Sequence, residues 1–331
     1  MTGEELLPLG QIYAPVQPDL ARVENQIRLV TEVDFPHLAE LLSYILSGGK
    51  GIRPALTLLS GKFYHYNLDL LVPMATAIEL MHTATLVHDD AIDNSPVRRG
   101  RPTINHLWGE DEAVLLGDYL FAKSGEFATT TGNLRVIMLF IQTLRIISAG
   151  ELIQTFDAFK LEQTRDHYLQ RIARKTASLF ATATESGAIL SQAPEESVGI
   201  LGEYGYNLGV AFQIIDDVLD FIGTEEEMGK PIGSDLAQGT LTLPAMLLLE
   251  RYPQNNPVKE IFSNPNMPEP DKQKRIKQAI ELVRNSSIAK ECYEVASDYC
   301  AKACHGLGLL PDNPSRRALK DLADLVISRK K

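Results

Sequence analysis

Apolar residues return at three- and four-residue intervals along nearly every long segment of this 331-residue chain, while alternating apolar and polar runs bounded by turns are missing. Such a pattern buries a continuous stripe only in helices, so the expected fold class is all-α, a bundle of long helices. Breaks fall at Gly48-Gly49, Asn94-Ser95-Pro96, Gly132-Asn133, Ala193-Pro194 and Gly223, with helices of roughly ten to thirty residues between them. No internal repeat is visible. The segment 251–270 holds five prolines and reads as a loop or broken helix. A surface excursion between two helices of one bundle would look the same, so the expectation is a single domain over 1–331.

The formal net charge of −11 argues against a nucleic-acid or anionic-lipid partner, because binding phosphate needs clustered Lys and Arg. An anionic substrate would need a local positive site. The three cysteines, Cys292, Cys300 and Cys304, lie in one short segment, which is not a disulfide framework. Their spacing puts them on one side of a helix, where plain packing is preferred over a metal site with His305. A reducing, cytoplasmic setting is expected. Met1 to Leu9 shows neither a signal nor a transit peptide. The most apolar stretch, Val136 to Ile147, is interrupted by Gln142, Thr143 and Arg145 and reads as too short to span a bilayer, so no transmembrane segment is expected.

Leu80 to Asp93 reads LMHTATLVHDDAID, with Asp89 and Asp93 one helical turn apart and Asp90 beside them. Side chains at i and i+4 lie about 5–6 Å apart at Cβ, close enough to serve one metal or two neighbouring ones. Just downstream come Arg98, Arg99, Gly100, Arg101, Pro102 and Thr103. Arginine forks suit phosphate oxygens and carboxylates suit magnesium, so the pair of features points to a diphosphate held through metal. A second helix, Gly209 to Asp220 (GVAFQIIDDVLD), repeats the spacing with Asp216, Asp217 and Asp220. If the two helices face each other, their acids bracket a cavity.

Here the chain resembles the trans-isoprenyl diphosphate synthase (polyprenyl synthetase) family, long-chain type. Gly48-Gly49-Lys50-Gly51-Ile52-Arg53-Pro54, Arg98-Arg99-Gly100, Gly117-Asp118-Tyr119-Leu120, Gly150-Glu151, Lys175-Thr176 and Gly229-Lys230-Pro231 through Asp235-Leu236 match that family's motifs in its order, from Gly48 to Pro244. The resemblance implies a helical bundle around a central apolar cavity, and magnesium, three ions per site, bound with the substrate diphosphate. Asp89, Asp93 and Asp216 would be the principal ligands, with Asp90, Asp217 and Asp220 binding directly or through water. Lys50, Arg53, His82 and Arg99 would hold isopentenyl diphosphate, and Arg98, Lys175, Thr176, Gln213 and Lys230 the allylic diphosphate. On this reading the chemistry falls on Asp89, Asp93, Arg98, Lys175, Asp216 and Lys230. The resemblance also implies a homodimer. One departure is Gly239-Thr240 before Leu241-Thr242-Leu243-Pro244, where many relatives carry Gly-Lys. Altered affinity rather than lost chemistry is expected from it.

Breaking an allylic carbon–oxygen bond leaves a delocalised cation and a highly charged diphosphate, so the main need is to stabilise charge on the leaving group. The double bond of isopentenyl diphosphate then attacks, and the released diphosphate is the nearest strong base for the departing proton. No dedicated general base is expected. Below Asp89 stand Ala84 and Thr85, both small, then Leu80 and Met81. In the family a bulky aromatic at the first two positions closes the cavity, so Met81, Ala84 and Thr85 are the chain-length candidates and a long all-trans product is expected. The alternatives are a shorter-chain synthase (geranylgeranyl or farnesyl) and a non-catalytic subunit of a heteromeric synthase. A terpene cyclase is disfavoured by the all-Asp second cluster, and a phosphohydrolase by the scattered histidines.

Overall fold

The computed structural model describes residues 9–48, 51–225, 229 and 231–329. Lys50 and Lys230, both expected at the site, lie outside the described residues, as does Gly49. In chain order the helices are α1 (Leu9–Ile12), α2 (Gln17–Leu29), α3 (Pro36–Ile45), α4 (Ile52–Gly61), α5 (Leu68–Ile92), α6 (Ile104–Leu107), α7 (Glu110–Thr130) and α8 (Leu134–Phe156). They continue with α9 (Arg165–Ile172), α10 (Ser178–Leu190), α11 (Glu195–Ile222), α12 (Ser234–Gln238), α13 (Leu243–Arg251), α14 (Pro257–Ser263), α15 (Glu269–Arg284), α16 (Ile288–His305) and α17 (Pro314–Ser328). The described strands are a two-residue antiparallel ladder, β1 (Val97–Arg98) and β2 (Arg101–Pro102), in the break between α5 and α6.

The punctuation works as side-chain chemistry. Asn67 accepts from Asp69 N to start α5, Asn133 from Val136 N to start α8, and Thr164 from His167 N to start α9, each cap contributing about 1 kcal/mol. The proline-rich segment is a broken helix rather than an open loop. Asn256, 1% exposed, accepts from Val258 N and Lys259 N while its own amide donates to Leu248 O and Tyr252 O. One buried side chain thus ties α13 to α14. α16 carries all three cysteines, and Cys292 and Cys300 are buried in the core as packing residues.

The main apolar core lies among α4, α5, α10, α11, α13 and α16, and a smaller one joins α3, α5 and α7. α5 runs through both, so its polar C-terminal end is carried on a rigid rod. The expectation of a short apolar run in the middle of α8 needs correction. Helix α8 extends from its Asn133 cap through Gly150 and Gln154 to Phe156, and, like α5, is long and apolar enough to cross a membrane by length and composition alone. α5 is mostly buried, whereas α8 exposes Leu134, Met138, Ile141, Leu152 and Phe156.

Candidate active site

The first carboxylate cluster sits at the C-terminal end of α5, with Asp89 and Asp90 buried and Asp93 half-buried. The helix is pinned there by His88. Its Nε2 lies 3.0 Å from Val114 O and 3.6 Å from Asp118 Oδ1 of α7, and its ring meets Phe121 edge-on at 5.3 Å. The space is cut for that ring, since a Cβ on Gly117 would stand 2.1 Å from its Cδ2 and Nε2. Gly117→Ala is therefore expected to lose about 2–3 kcal/mol through overpacking and a displaced hydrogen bond. A urea midpoint unchanged from the parent would show that α5 and α7 separate freely.

After the cluster the chain turns back through the β1–β2 ladder. Arg98 Nε donates to Asp90 Oδ1 at 2.7 Å, and Arg99 holds a left-handed backbone with φ 53°, a conformation costly outside glycine and often kept where function demands it. Burial raises the Asp90 carboxyl to about 6 despite Arg98 beside it. Gly100 N donates to Gly229 O at 2.9 Å, so the loop after the second cluster rests on the arginine turn after the first.

Lys175 and Thr176 lie on a π-helical stretch, Ala173–Ala177, between α9 and α10, the kind of bulge that recurs at functional sites. Lys175 Nζ stands 3.2 Å from Asp89 Oδ2 and 2.7 Å from Glu151 Oε1. Burial works against its charge, but Asp89 and Glu151 outweigh it and hold the ammonium well above its ordinary range. Glu151 is itself pushed up to about 6 by burial, with Lys175 opposing. On the other side Thr176 donates to Gln213 Oε1 at 2.6 Å, and Gln213 donates to Asp217 Oδ1 at 2.8 Å. Gly209 makes this close crossing possible, because a Cβ there would lie 2.6 Å from Ala177 Cα.

The second cluster stands on α11. Asp216, half-buried, pairs with Arg329 Nη1 at 3.0 Å. Asp217 and Asp220 are buried, and all four of their carboxylate oxygens accept protein hydrogen bonds. Asp217 takes Tyr168 Oη at 2.7 Å besides Gln213, and burial raises its carboxyl to about 6 in spite of both. Asp220 takes Ser234 Oγ at 2.9 Å and Asp235 N at 3.1 Å, and its backbone carbonyl takes Gly233 N. These bonds seat α12 and the loop before it.

Between the clusters lies a basic group. Arg53, half-buried, lies over the Phe180 ring at 4.7 Å, its Nε lacking a hydrogen-bond partner. Burial lowers Arg53 to about 10, so it keeps its charge at neutral pH. Burial, then Arg53, Arg99 and Arg98, hold His82 well below its usual range, leaving a neutral imidazole. Glu79, one turn before His82, is half-buried in the field of Arg53 and Arg99, and desolvation raises its carboxyl.

Among the described residues no three His, Cys, Asp or Glu side chains converge to hold a metal by themselves. The donor chemistry nevertheless fits magnesium, which takes one or two carboxylates and fills its octahedron with phosphate oxygens and water rather than an all-protein cage. The structure brings together Asp89, Asp93, Arg98, Lys175, Thr176, Gln213 and Asp216, with Arg53, His82 and Arg99 beside them. Of the chain-length candidates, Met81 is buried in the main core, Ala84 is buried against α7 residues Leu116 and Leu120, and Thr85 is half-buried on the Asp89 face. Sequence reasoning gave no role to Glu79, Glu151, Tyr168 or Arg329. Only Glu151 and Glu79 had a signal to find, the Gly150-Glu151 motif and a one-turn spacing from His82.

Two acidic helices facing half-buried cations inside an all-helical bundle define the class: an isoprenoid synthase fold. Residues 35–283 match the family model described as Polyprenyl synthetase. The chain is 39% identical to "Heptaprenyl diphosphate synthase component 2" of Geobacillus stearothermophilus over 96% of its own length and 98% of that protein. Its fold matches a polyprenyl synthase from Caulobacter crescentus CB15, complexed with calcium and isoprenyl diphosphate, with a TM-score of 0.91 and 33% identity, covering 99% of this chain and 100% of that one. A decaprenyl diphosphate synthase from Rhodobacter capsulatus matches with a TM-score of 0.89 and 36% identity, covering 98% and 100%. The chain belongs to the polyprenyl synthetase family and is a prenyltransferase.

Proposed function

We propose that this chain, acting as a single domain, condenses isopentenyl diphosphate head-to-tail with an allylic prenyl diphosphate and gives a long all-trans polyprenyl diphosphate. The observation that carries the reading is Lys175 held against Asp89 while its neighbour Thr176 is linked through Gln213 to the second cluster. One short π-helical segment thereby spans both acidic helices. Magnesium, when bound, supplies Lewis-acid stabilisation of the leaving diphosphate. Asp89, Asp93 and Asp216 would hold it, three ions per site, with Asp90 at the edge. Asp217 and Asp220 would join them directly or through metal-bound water, and they also seat Gln213, Tyr168 and α12.

Lys175, Arg98, Thr176, Gln213 and Lys230 hold the allylic diphosphate, and Arg53, Arg99, His82 and Lys50 the isopentenyl diphosphate. A permanently charged Arg53 and a neutral His82 suit that division, one giving charge and the other a directed hydrogen bond. Thr240 reaches less far than a lysine would, so the allylic diphosphate is gripped chiefly by Lys175 and Lys230. The small residue Thr85 on the Asp89 face, and relatives named for heptaprenyl and decaprenyl products, support the long product.

The apolar face of α8, continued on α7 by Val114 and Leu115, is a patch of the kind that partner subunits cover. A second copy of this chain is the proposed occupant, in a cytoplasmic homodimer. The relative named "component 2" supports a second reading, in which a different subunit completes the enzyme.

The test is product analysis with magnesium, isopentenyl diphosphate and several allylic primers, sizing the polyprenols after phosphatase treatment. Long products that disappear on EDTA addition and return with excess magnesium are expected. A dimer that elongates no primer sinks the stand-alone synthase, and a monomer that elongates none favours the heteromer.

A further inference from the structure

The residue after α17, Arg329, is far in sequence from both clusters, yet its guanidinium stands 3.0 Å from Asp216 Oδ1 and over the Phe212 ring at 4.5 Å. Its backbone carbonyl accepts from Tyr293 Oη of α16 at 3.0 Å, which fixes where the side chain begins. The side chain is 21% exposed and that of Asp216 is 33% exposed. Nη1 makes the ion pair without a well-directed hydrogen bond. The charge is held in place but not locked.

Phe212 sits one turn before Asp216 on α11, so the guanidinium keeps a stacking platform when it lets the carboxylate go. Among the described residues Arg53 also lies in the field of Asp216, without an ion pair between them.

We infer that Arg329 is an exchangeable counter-ion for Asp216, covering that carboxylate in the free enzyme and yielding it when a divalent ion binds. This rests on the reading of Asp216 as a metal ligand. A guanidinium and a divalent ion cannot share Oδ1, so the arginine competes with metal. The pair offsets like-charge repulsion among Asp216, Asp217 and Asp220 before metal arrives, and it sets a threshold for metal binding in the absence of diphosphate. The C-terminus thereby reports on the state of the second cluster.

The test is manganese binding to the full chain, followed by calorimetry without diphosphate, in the parent, Arg329→Gln and Asp216→Asn. Removing the competitor is expected to tighten manganese binding about fivefold, the scale of a partly exposed ion pair. A purely structural role for Arg329 would leave affinity unchanged or weaken it, and either result overturns the inference while leaving Asp216 as a ligand. If Asp216→Asn binds manganese as the parent does, the ligand reading itself fails. Trypsin gives an independent readout by mass spectrometry. Cleavage after Arg329 is expected to quicken with manganese in the parent and to be fast without it in Asp216→Asn. Equal rates in all forms overturn the inference.

Discussion

Asp89→Asn is expected to lower kcat by about three orders of magnitude, roughly 4 kcal/mol of lost transition-state stabilisation. The substitution keeps the shape of the side chain and removes the charge that faces Lys175 at 3.2 Å. Lys175 retains Glu151 at 2.7 Å, so its ammonium stays paired and the π-helical segment stays in place. The thermal midpoint should accordingly move by only a few degrees, on the scale of about 1 kcal/mol. Because the metal's role grows as charge develops on the leaving group, kcat and kcat/KM should fall together. Single-turnover rates at saturating magnesium separate chemistry from binding. A loss under about tenfold, with no change in the magnesium concentration needed for half-maximal rate, would remove Asp89 from the metal set.

Glu151 and Glu79 explain why this site stays assembled with so many cations near one another. Each is a half-buried acid in the field of a basic side chain that the sequence assigned to phosphate, and Glu151 pairs with Lys175 directly. Glu151 holds Lys175 at a fixed position before substrate arrives, which is the preorganisation that charge stabilisation requires, while Glu79 lies in the field of Arg53 and Arg99. The same logic extends to Asp217 and Asp220, whose hydrogen bonds place the loops that surround the site.

The helical class and the two carboxylate helices were legible because both are local signals. Period and i, i+4 spacing are properties of contiguous residues, and Asp89, Asp93 and Asp216 carry them openly. Tyr168 and Arg329 were not legible, since their partners Asp217 and Asp216 are brought to them only by tertiary packing. The π-helical turn at Lys175 leaves no local pattern either. It lies where α11 approaches closely at Gly209, a contact made by tertiary packing. Arg99 in a left-handed backbone also runs against its intrinsic preference. The apolar run Val136 to Ile147 understated how far α8 could reach, because helix length follows its caps, here Asn133 at the break the sequence marked, and not its apolar run.

Product length is the second large effect, and Thr85→Phe is the variant that reads it. Thr85 stands one turn below Asp89 on the same face of α5, and Met81 one turn below Thr85. A prenyl chain growing from a diphosphate held at Asp89 must pass these positions. The Thr85 hydroxyl donates to His82 O at 2.7 Å, so its polar atom is turned to its own helix and its methyl group is left to meet hydrocarbon. Ala84 points elsewhere in effect, being buried against Leu116 and Leu120, where a larger residue would overpack the α5–α7 contact at a cost of about 1–3 kcal/mol. A phenyl ring at 85 adds bulk on the substrate side instead. The expected outcome is a product distribution shorter by several isoprene units, with the first condensation slowed less than about threefold because the metal and diphosphate groups are untouched. Polyprenols sized from the parent and the variant, at equal turnover, decide it. If Thr85→Phe still makes the parent product at the parent rate, the growing chain runs past another wall, and the length of the product is set by a different helix or by the second subunit proposed to cover α8.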